Sequence, residues 1–293
     1  MSELDRNGLE YCRKKLDVVS VGTFRIKAKK TINDVVKSAL ALGYRTIDTA
    51  QCYRNEHHIG EALEQYIAES GSNLQREDVF ITSKISPSNL GREKTLNSVK
   101  QSLIDLKLAY IDLMLIHWPG AQGLLTSDER NSVLREESWR SLEECYKRGE
   151  VKAIGVSNYT VDHLNELFTY ATVLPAVNQI ELHPHYRNEA VVKLCRKHGI
   201  IVQAYSSLGT TDNCNLLDDP KVLALAQSKN ATPAQILLAW GTSQNFYVIP
   251  KTTNPTHLQE NLSSTRLLLT NNEIQMLNSE NENKLCWDPT SVV

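Results

Sequence analysis

At 293 residues the chain has room for one large α/β domain, and its net charge of −2 with dispersed basic residues leaves no electrostatic footprint for nucleic acid or an anionic membrane. No run approaches the roughly 20 apolar residues of a membrane span, and the opening Met1-Ser2-Glu3-Leu4-Asp5-Arg6 lacks the apolar segment of a signal peptide. Six scattered cysteines with no C-x-x-C pair read as free thiols, so the expectation is a cytoplasmic monomer whose partner is a small molecule.

Residues 1–16 are polar and mixed and are expected to form a loosely held tail. A first strand over 17–22 leads into a helix that places Ile32, Val35, Val36, Ala39 and Leu42 on one face. Thr31 and Asp34 match a capping box at its start, and Gly43 ends it. A second strand over 45–47 is followed by a helix with Ile59, Ala62, Leu63, Tyr66 and Ile67. A third strand over 79–84 precedes Leu96, Val99, Leu103 and Leu106 at helical spacing. The fourth, 111–117, is almost wholly apolar, as a strand buried on both faces should be. A polar loop over 121–137 separates it from a helix carrying Trp139, Leu142 and Tyr146.

Four more strands, at 153–156, 176–179, 201–205 and 247–249, alternate with helical patterns; Thr232-Pro233 caps one helix, and Thr270 with Glu273 caps the last. Eight such units predict a (β/α)8 barrel over residues 17–280, with a short tail over 281–293 crossing its mouth. A doubly wound sheet that binds a dinucleotide would carry G-x-G-x-x-G after an early strand, and that fingerprint is absent.

The ends of consecutive barrel strands share one mouth, so Asp48, Lys84 and His117 become neighbours, and Tyr53 follows Asp48 closely enough to fold back onto them. An acid, a cation, an imidazole and a phenol suit protonation of a substrate oxygen better than nucleophilic attack. A nearby ammonium is expected to lower the phenol's pKa. His57-His58 and His183-Pro184-His185 lack cysteines or carboxylates at ligand spacing, so no metal is expected.

Several segments carry a family resemblance: Gly43-Tyr44-Arg45-Thr46-Ile47-Asp48-Thr49-Ala50, Thr82-Ser83-Lys84, Asp112-Leu113-Met114-Leu115-Ile116-His117-Trp118-Pro119, Gly155-Val156-Ser157-Asn158-Tyr159 and Ile249-Pro250-Lys251. Over nearly its whole length the chain resembles the aldo-keto reductases, barrel enzymes that reduce carbonyl compounds with a nicotinamide cofactor. The resemblance implies that Tyr53 is the general acid, that Lys84 tunes it, that Asp48 holds Lys84, and that His117 orients the carbonyl. It further implies an NADP(H) site, with NAD(H) also accepted. Gly22, Thr23 and Asp48 would lie beside that cofactor, with Ser157, Asn158 and Gln179 on the carboxamide and Tyr205 stacked on the nicotinamide. Ser206 and Leu208 would line the pyrophosphate path, Lys251, Thr252, Thr253 and His257 would face the adenosine phosphate, and Glu260 and Asn261 would touch adenine.

Phe24 stands where relatives commonly have Trp, and His257 where they normally have Arg. An open substrate pocket lined by Phe24, Trp118 and Trp287 is expected. The resemblance also admits a nucleotide-binding sensor or scaffold subunit with slow turnover, as in the potassium-channel β subunits; the four intact catalytic positions favour the enzyme.

Overall fold

The computed structural model describes residues 4–69, 73–210 and 214–293. Eight parallel strands form its centre: β1 (Val21–Gly22), β2 (Thr46–Asp48), β3 (Phe80–Ile85), β4 (Ile111–Ile116), β5 (Val151–Ser157), β6 (Val177–Glu181), β7 (Ile201–Tyr205) and β8 (Tyr247–Val248). Each pairs with its neighbour in chain order. A parallel bridge from Val19 to Val248, with Ser20 N–H donating to the Val248 carbonyl at 2.9 Å, joins the last strand to the first. The sheet therefore closes into the expected (β/α)8 barrel, and closure removes the unpaired edges an open sheet would carry. β4 is buried at every position, which is why its sequence shows no polar alternation.

The helices ring this barrel: α1 (Asn7–Lys15), α2 (Lys29–Leu42), α3 (Glu56–Ala68), α4 (Arg92–Leu106), α5 (Arg130–Lys147), α6 (Val161–Tyr170), α7 (Glu189–His198), α8 (Pro220–Lys229), α9 (Pro233–Thr242), α10 (Pro255–Ser263) and α11 (Asn271–Leu277). The expected caps at Thr232 and Thr270 form as reciprocal capping boxes. The one expected at Thr31 does not. α2 starts two residues earlier, at Lys29, with no side-chain cap, and Asp34 instead pairs with Lys30 one turn away at 2.8 Å. Likewise the polar loop expected over 121–137 is shorter, because α5 already begins at Arg130.

Residues 1–16 depart most from expectation. α1 is a packed helix with Leu9 and Cys12 fully buried, and it lies across the N-terminal end of the barrel. There Tyr11 stacks on Phe80 and its hydroxyl donates to Asp112 Oδ1 at 2.6 Å. Arg76 and the Ile81 N–H share the other oxygen, at 2.6 and 2.9 Å. The opposite end, where the strands finish, is left for the site.

Candidate active site

β2 ends on Asp48, β3 carries Lys84 one residue before its end, and His117 directly follows β4. Lys84 is fully buried. Its ammonium has three N–H groups and meets three acceptors: Asp48 Oδ1 at 2.6 Å, the Thr49 carbonyl at 2.8 Å and the Tyr53 hydroxyl at 3.4 Å. A buried charge is tolerable only when matched in this way. The second Asp48 oxygen accepts from Gln179 Nε2 at 2.8 Å, and that amide's other hydrogen goes to Gln203 Oε1, also at 2.8 Å.

Tyr53 sits at the end of a short 3-10 turn (Gln51–Tyr53), after which Arg54 takes a left-handed φ of 57°. Because lysine can only donate, the Tyr53 oxygen is the acceptor in their contact, and the phenol's own proton is directed elsewhere. Burial, reinforced by Asp48 and Cys52, pushes the phenol well above its ordinary pKa. The lowering expected from Lys84 is thus not the net result, since burial, and after it Asp48, raises the phenol's pKa. The phenol is held as a neutral O–H.

His117 is pushed the other way, well below its ordinary value, by burial and then by Lys84. Its imidazole is therefore neutral. Nδ1 lies 3.4 Å from the Cys52 sulfur, and a thiol donating there leaves the proton of the ring on Nε2. Asn158 Nδ2 holds the His117 carbonyl at 2.9 Å.

Aromatic rings line the mouth in sequence. Phe24 tilts on Tyr53 at 5.1 Å, Tyr53 meets His117 at 5.8 Å, His117 stacks on Trp118 at 6.2 Å, and Trp118 takes Trp287 edge-on at 4.9 Å. The three residues expected to form the pocket are thus brought to one rim. Phe24 and Trp287 are both about half exposed, at 51% and 49%. Asn55 fixes the Phe24 loop by donating to the Thr23 and Ile26 carbonyls at 3.1 and 2.9 Å. Beyond Trp118 a cavity of about 490 Å³ is walled by Leu124, Leu125, Trp287 and Val292.

Among the cofactor candidates, Ser157, Asn158, Gln179 and Tyr205 gather at the ends of β5, β6 and β7. Ser157 Oγ donates to the Gln179 carbonyl at 2.8 Å, and the Tyr205 hydroxyl to Asn158 Oδ1 at 2.6 Å, leaving the Tyr205 ring partly exposed. Ser206, with φ of 54°, and Leu208 follow it, both half-buried. Thr23 Oγ1 donates to the Asp48 carbonyl at 2.8 Å. Gly22 answers to its own fold, because a Cβ there would meet the Ile249 carbonyl at 2.8 Å. Lys251, Thr252, Thr253, His257, Glu260 and Asn261 form a separate group after β8 and on α10. Lys251, Thr253 and His257 are exposed, Thr252 and Glu260 half-buried, and Asn261 buried.

His183 and His185 are occupied by carboxylates, Glu181 at 3.1 Å and Asp219 at 2.8 Å. Sequence reasoning missed Thr49, Gln203 and Glu181. A glutamine or glutamate inside a strand carries no pattern of its own, and its partner emerges only once the barrel closes.

A sequence model of the aldo/keto reductase family matches residues 19–282. The chain is 39% identical to an uncharacterized oxidoreductase of Bacillus subtilis, covering 90% of this chain and 88% of that one. It is 34% identical to a 9,11-endoperoxide prostaglandin H2 reductase of Trypanosoma cruzi, covering 92% and 89%. Among solved structures, an aldo-keto reductase from a Medee basin deep-sea metagenome library superposes with a TM-score of 0.84 at 34% identity, covering 95% of this chain and 96% of the other.

Proposed function

The chain belongs to the aldo/keto reductase family, and from that premise we propose that it reduces aldehydes and ketones to alcohols with NADPH, Tyr53 supplying the proton. The observation that carries this reading is the shell around Lys84. Three acceptors use its three N–H groups, and the one that is a hydroxyl keeps its own proton for a substrate oxygen in the mouth. His117, neutral and tethered through Nδ1, offers Nε2 to the same oxygen and fixes its direction. Asp48 holds Lys84 in place.

The residues present fit a nicotinamide dinucleotide. Tyr205 offers a ring face; Ser157, Asn158 and Gln179 surround it with amide and hydroxyl groups; Gly22, Thr23, Ser206 and Leu208 border the path away from it. At its far end the exposed Lys251, Thr253 and His257 and the half-buried Thr252 give a cation and hydroxyls for an adenosine phosphate, beside the start of α10, while Glu260 and Asn261 lie further along that helix. When bound, the nicotinamide supplies the hydride. Phe24, Trp118 and Trp287 favour apolar or aromatic carbonyl substrates, which gain most from burial against rings.

The sensor reading loses ground because nothing at the catalytic four is dismantled. Tyr53→Phe tests the assignment: NADPH oxidation with an aromatic aldehyde should fall by about 10²-fold or more, the usual cost of a lost general acid. NADPH affinity, followed by fluorescence quenching, should stay near wild type because the ring remains. Turnover at the wild-type rate would remove Tyr53 from the role.

A further inference from the structure

The tail that carries Trp287 over the mouth is fastened by a side chain the chemistry does not use. Glu181 ends β6, and its carboxylate is fully buried. Each oxygen takes one backbone N–H of the tail and one side-chain donor. Oε1 accepts from Leu285 N–H at 2.6 Å and faces His183 Nε2 at 3.1 Å; Oε2 accepts from Lys284 Nζ at 2.6 Å and Cys286 N–H at 3.0 Å. Burial alone would raise this carboxyl, but those hydrogen bonds and the Lys284 charge hold it down to about 2. The last bonded amide, Cys286, immediately precedes Trp287.

Trp287 itself is half exposed and its ring contact among the described residues is with Trp118, so its own packing does little to fix it. Further on Pro289 is buried, and the tail is held again at Val292 and Val293, where His163 Nε2 donates to the Val292 carbonyl and Val293 N–H to the Thr126 carbonyl, both at 2.9 Å, and Arg135 Nη1 to the Val293 carbonyl at 2.7 Å. Glu181 also lies two residues beyond Gln179, on the strand whose amide holds the catalytic Asp48. One rigid strand thus references both the acid–lysine pair and the wall.

We propose that Glu181 is a specificity-determining positioning residue: by clamping the amides of Leu285 and Cys286 it sets the height of Trp287 above the mouth and so the size of carbonyl substrate accepted. This rests on the reading of Trp287 as a substrate wall, and the test separates the two. Glutamine at 181 keeps the shape but offers one oxygen instead of two, so two of the four donors, one tail amide among them, then face an N–H group.

Wild type, Glu181→Gln, Trp287→Ala and the double variant are compared with NADPH and two substrates, propanal and 4-phenylbenzaldehyde. Glu181→Gln should raise KM for the biphenyl aldehyde by about tenfold with kcat within about twofold, an aromatic wall contributing area rather than chemistry. The constants for propanal should not move. Trp287→Ala should raise the biphenyl KM to the same order, and the double variant should be no worse than Trp287→Ala alone, since both act through one ring. Glu181→Asp, which keeps the charge but withdraws it by one methylene, should fall between.

Amide hydrogen exchange gives a readout independent of turnover: in Glu181→Gln protection should fall at Leu285 and Cys286 and persist through β6. If Trp287→Ala raises the biphenyl KM and Glu181→Gln does not, the clamp is refuted and the wall stands. If the two effects add, Glu181 acts through something other than Trp287 and the proposal falls. A Trp287→Ala variant with unchanged KM refutes the wall and the proposal with it. Unchanged protection at Leu285 and Cys286 overturns the clamp whatever the kinetics.

Discussion

Lys84 is the residue on which stability and chemistry meet, because removing it strands Asp48 in a buried site with only Gln179 as partner. Breaking a buried pair from one side typically costs about 3–5 kcal/mol. Lys84→Met should therefore lower both turnover and the urea midpoint, whereas Tyr53→Phe should lower turnover alone; equal stability of Lys84→Met and wild type would contradict the pairing. A second residue-scale prediction concerns His257, exposed in the first turn of α10. An arginine is always charged and grips phosphate bidentately, which an imidazole does not. On the reading proposed above, Lys251 and the threonines still favour a 2′-phosphate. His257→Arg should therefore strengthen the preference for NADPH over NADH, with both dissociation constants followed by fluorescence quenching. A preference indifferent to the substitution would take His257 off the phosphate. Asp48, Lys84 and His117 were legible as neighbours because the ends of consecutive barrel strands face one mouth; each alone has a bland explanation, and their co-occurrence there is what marks the site. The shift of Tyr53 was misjudged because proximity to lysine is visible in sequence, while the burial that outweighs it is not.

Among the elements, α1 shows how a packed helix escapes detection. A helix lying along a barrel buries a stripe and repeats its apolar residues every three or four positions. α1 instead crosses the barrel's end and buries only Gly8, Leu9 and Cys12, between Asn7 and the basic run Arg13-Lys14-Lys15. Too few apolar residues remain to make a period. Its contribution should still be large: Leu9 is fully buried, and Leu9→Ala should cost about 2–5 kcal/mol, the range for a methylene-rich side chain removed from a core. Chemical denaturation measures this, and a loss within error of zero would restore the loosely held tail. The start of α5 was hidden for a related reason, since Arg130 and Asn131 read as loop. Asn131 is in fact buried, accepting from Ala121 N–H at 2.9 Å and donating to the Leu125 carbonyl at 2.9 Å, so a polar helix start organises the loop beside the mouth. The strands were the most legible elements, because a parallel barrel buries them on both faces and leaves nearly continuous apolar runs.

Across the whole molecule the two ends of the barrel differ in what acid does to them. The N-terminal end is tied by Tyr11, Arg76 and Asp112; the depressed histidine beside α1, His198, lowered by burial and then by Lys197 and Arg6, lies outside that network. The mouth carries two buried histidines whose pKa values are depressed. His117 is lowered by burial and Lys84; His163 is lowered by burial and by Arg135, opposed first by its hydrogen bond to the Val292 carbonyl and then by Glu166 and Asp162. A group depressed on folding stabilises the native state above its unfolded value and loses that contribution as pH falls below it, here from about 6.5 downward. Glu181 follows in a lower window, from its ordinary 4.5 toward about 2. Glu56 and Asp17 act with the opposite sign, since burial raises both and their protonated forms favour the fold at low pH, so they offset part of the later loss. The first loss is the histidines' own. His163 Nδ1 accepts from the Thr160 N–H at 3.2 Å and lies 2.9 Å from the Thr160 hydroxyl, while Nε2 holds the Val292 carbonyl; a second proton on the ring makes Nδ1 a donor, sets it against the Thr160 N–H and leaves the hydroxyl as its acceptor. The melting temperature should therefore fall between about pH 7.5 and about pH 5, before carboxylates at the mouth titrate, and His163→Gln, whose amide can still donate toward Val292, should make that fall shallower. Calorimetry at three pH values measures the slope, and hydrogen exchange locates it: protection at Val292 and Val293 should decline at a higher pH than protection in α1. A melting temperature that rises on acidification, or a slope untouched by His163→Gln, would show that the tail's end is not held by a neutral imidazole.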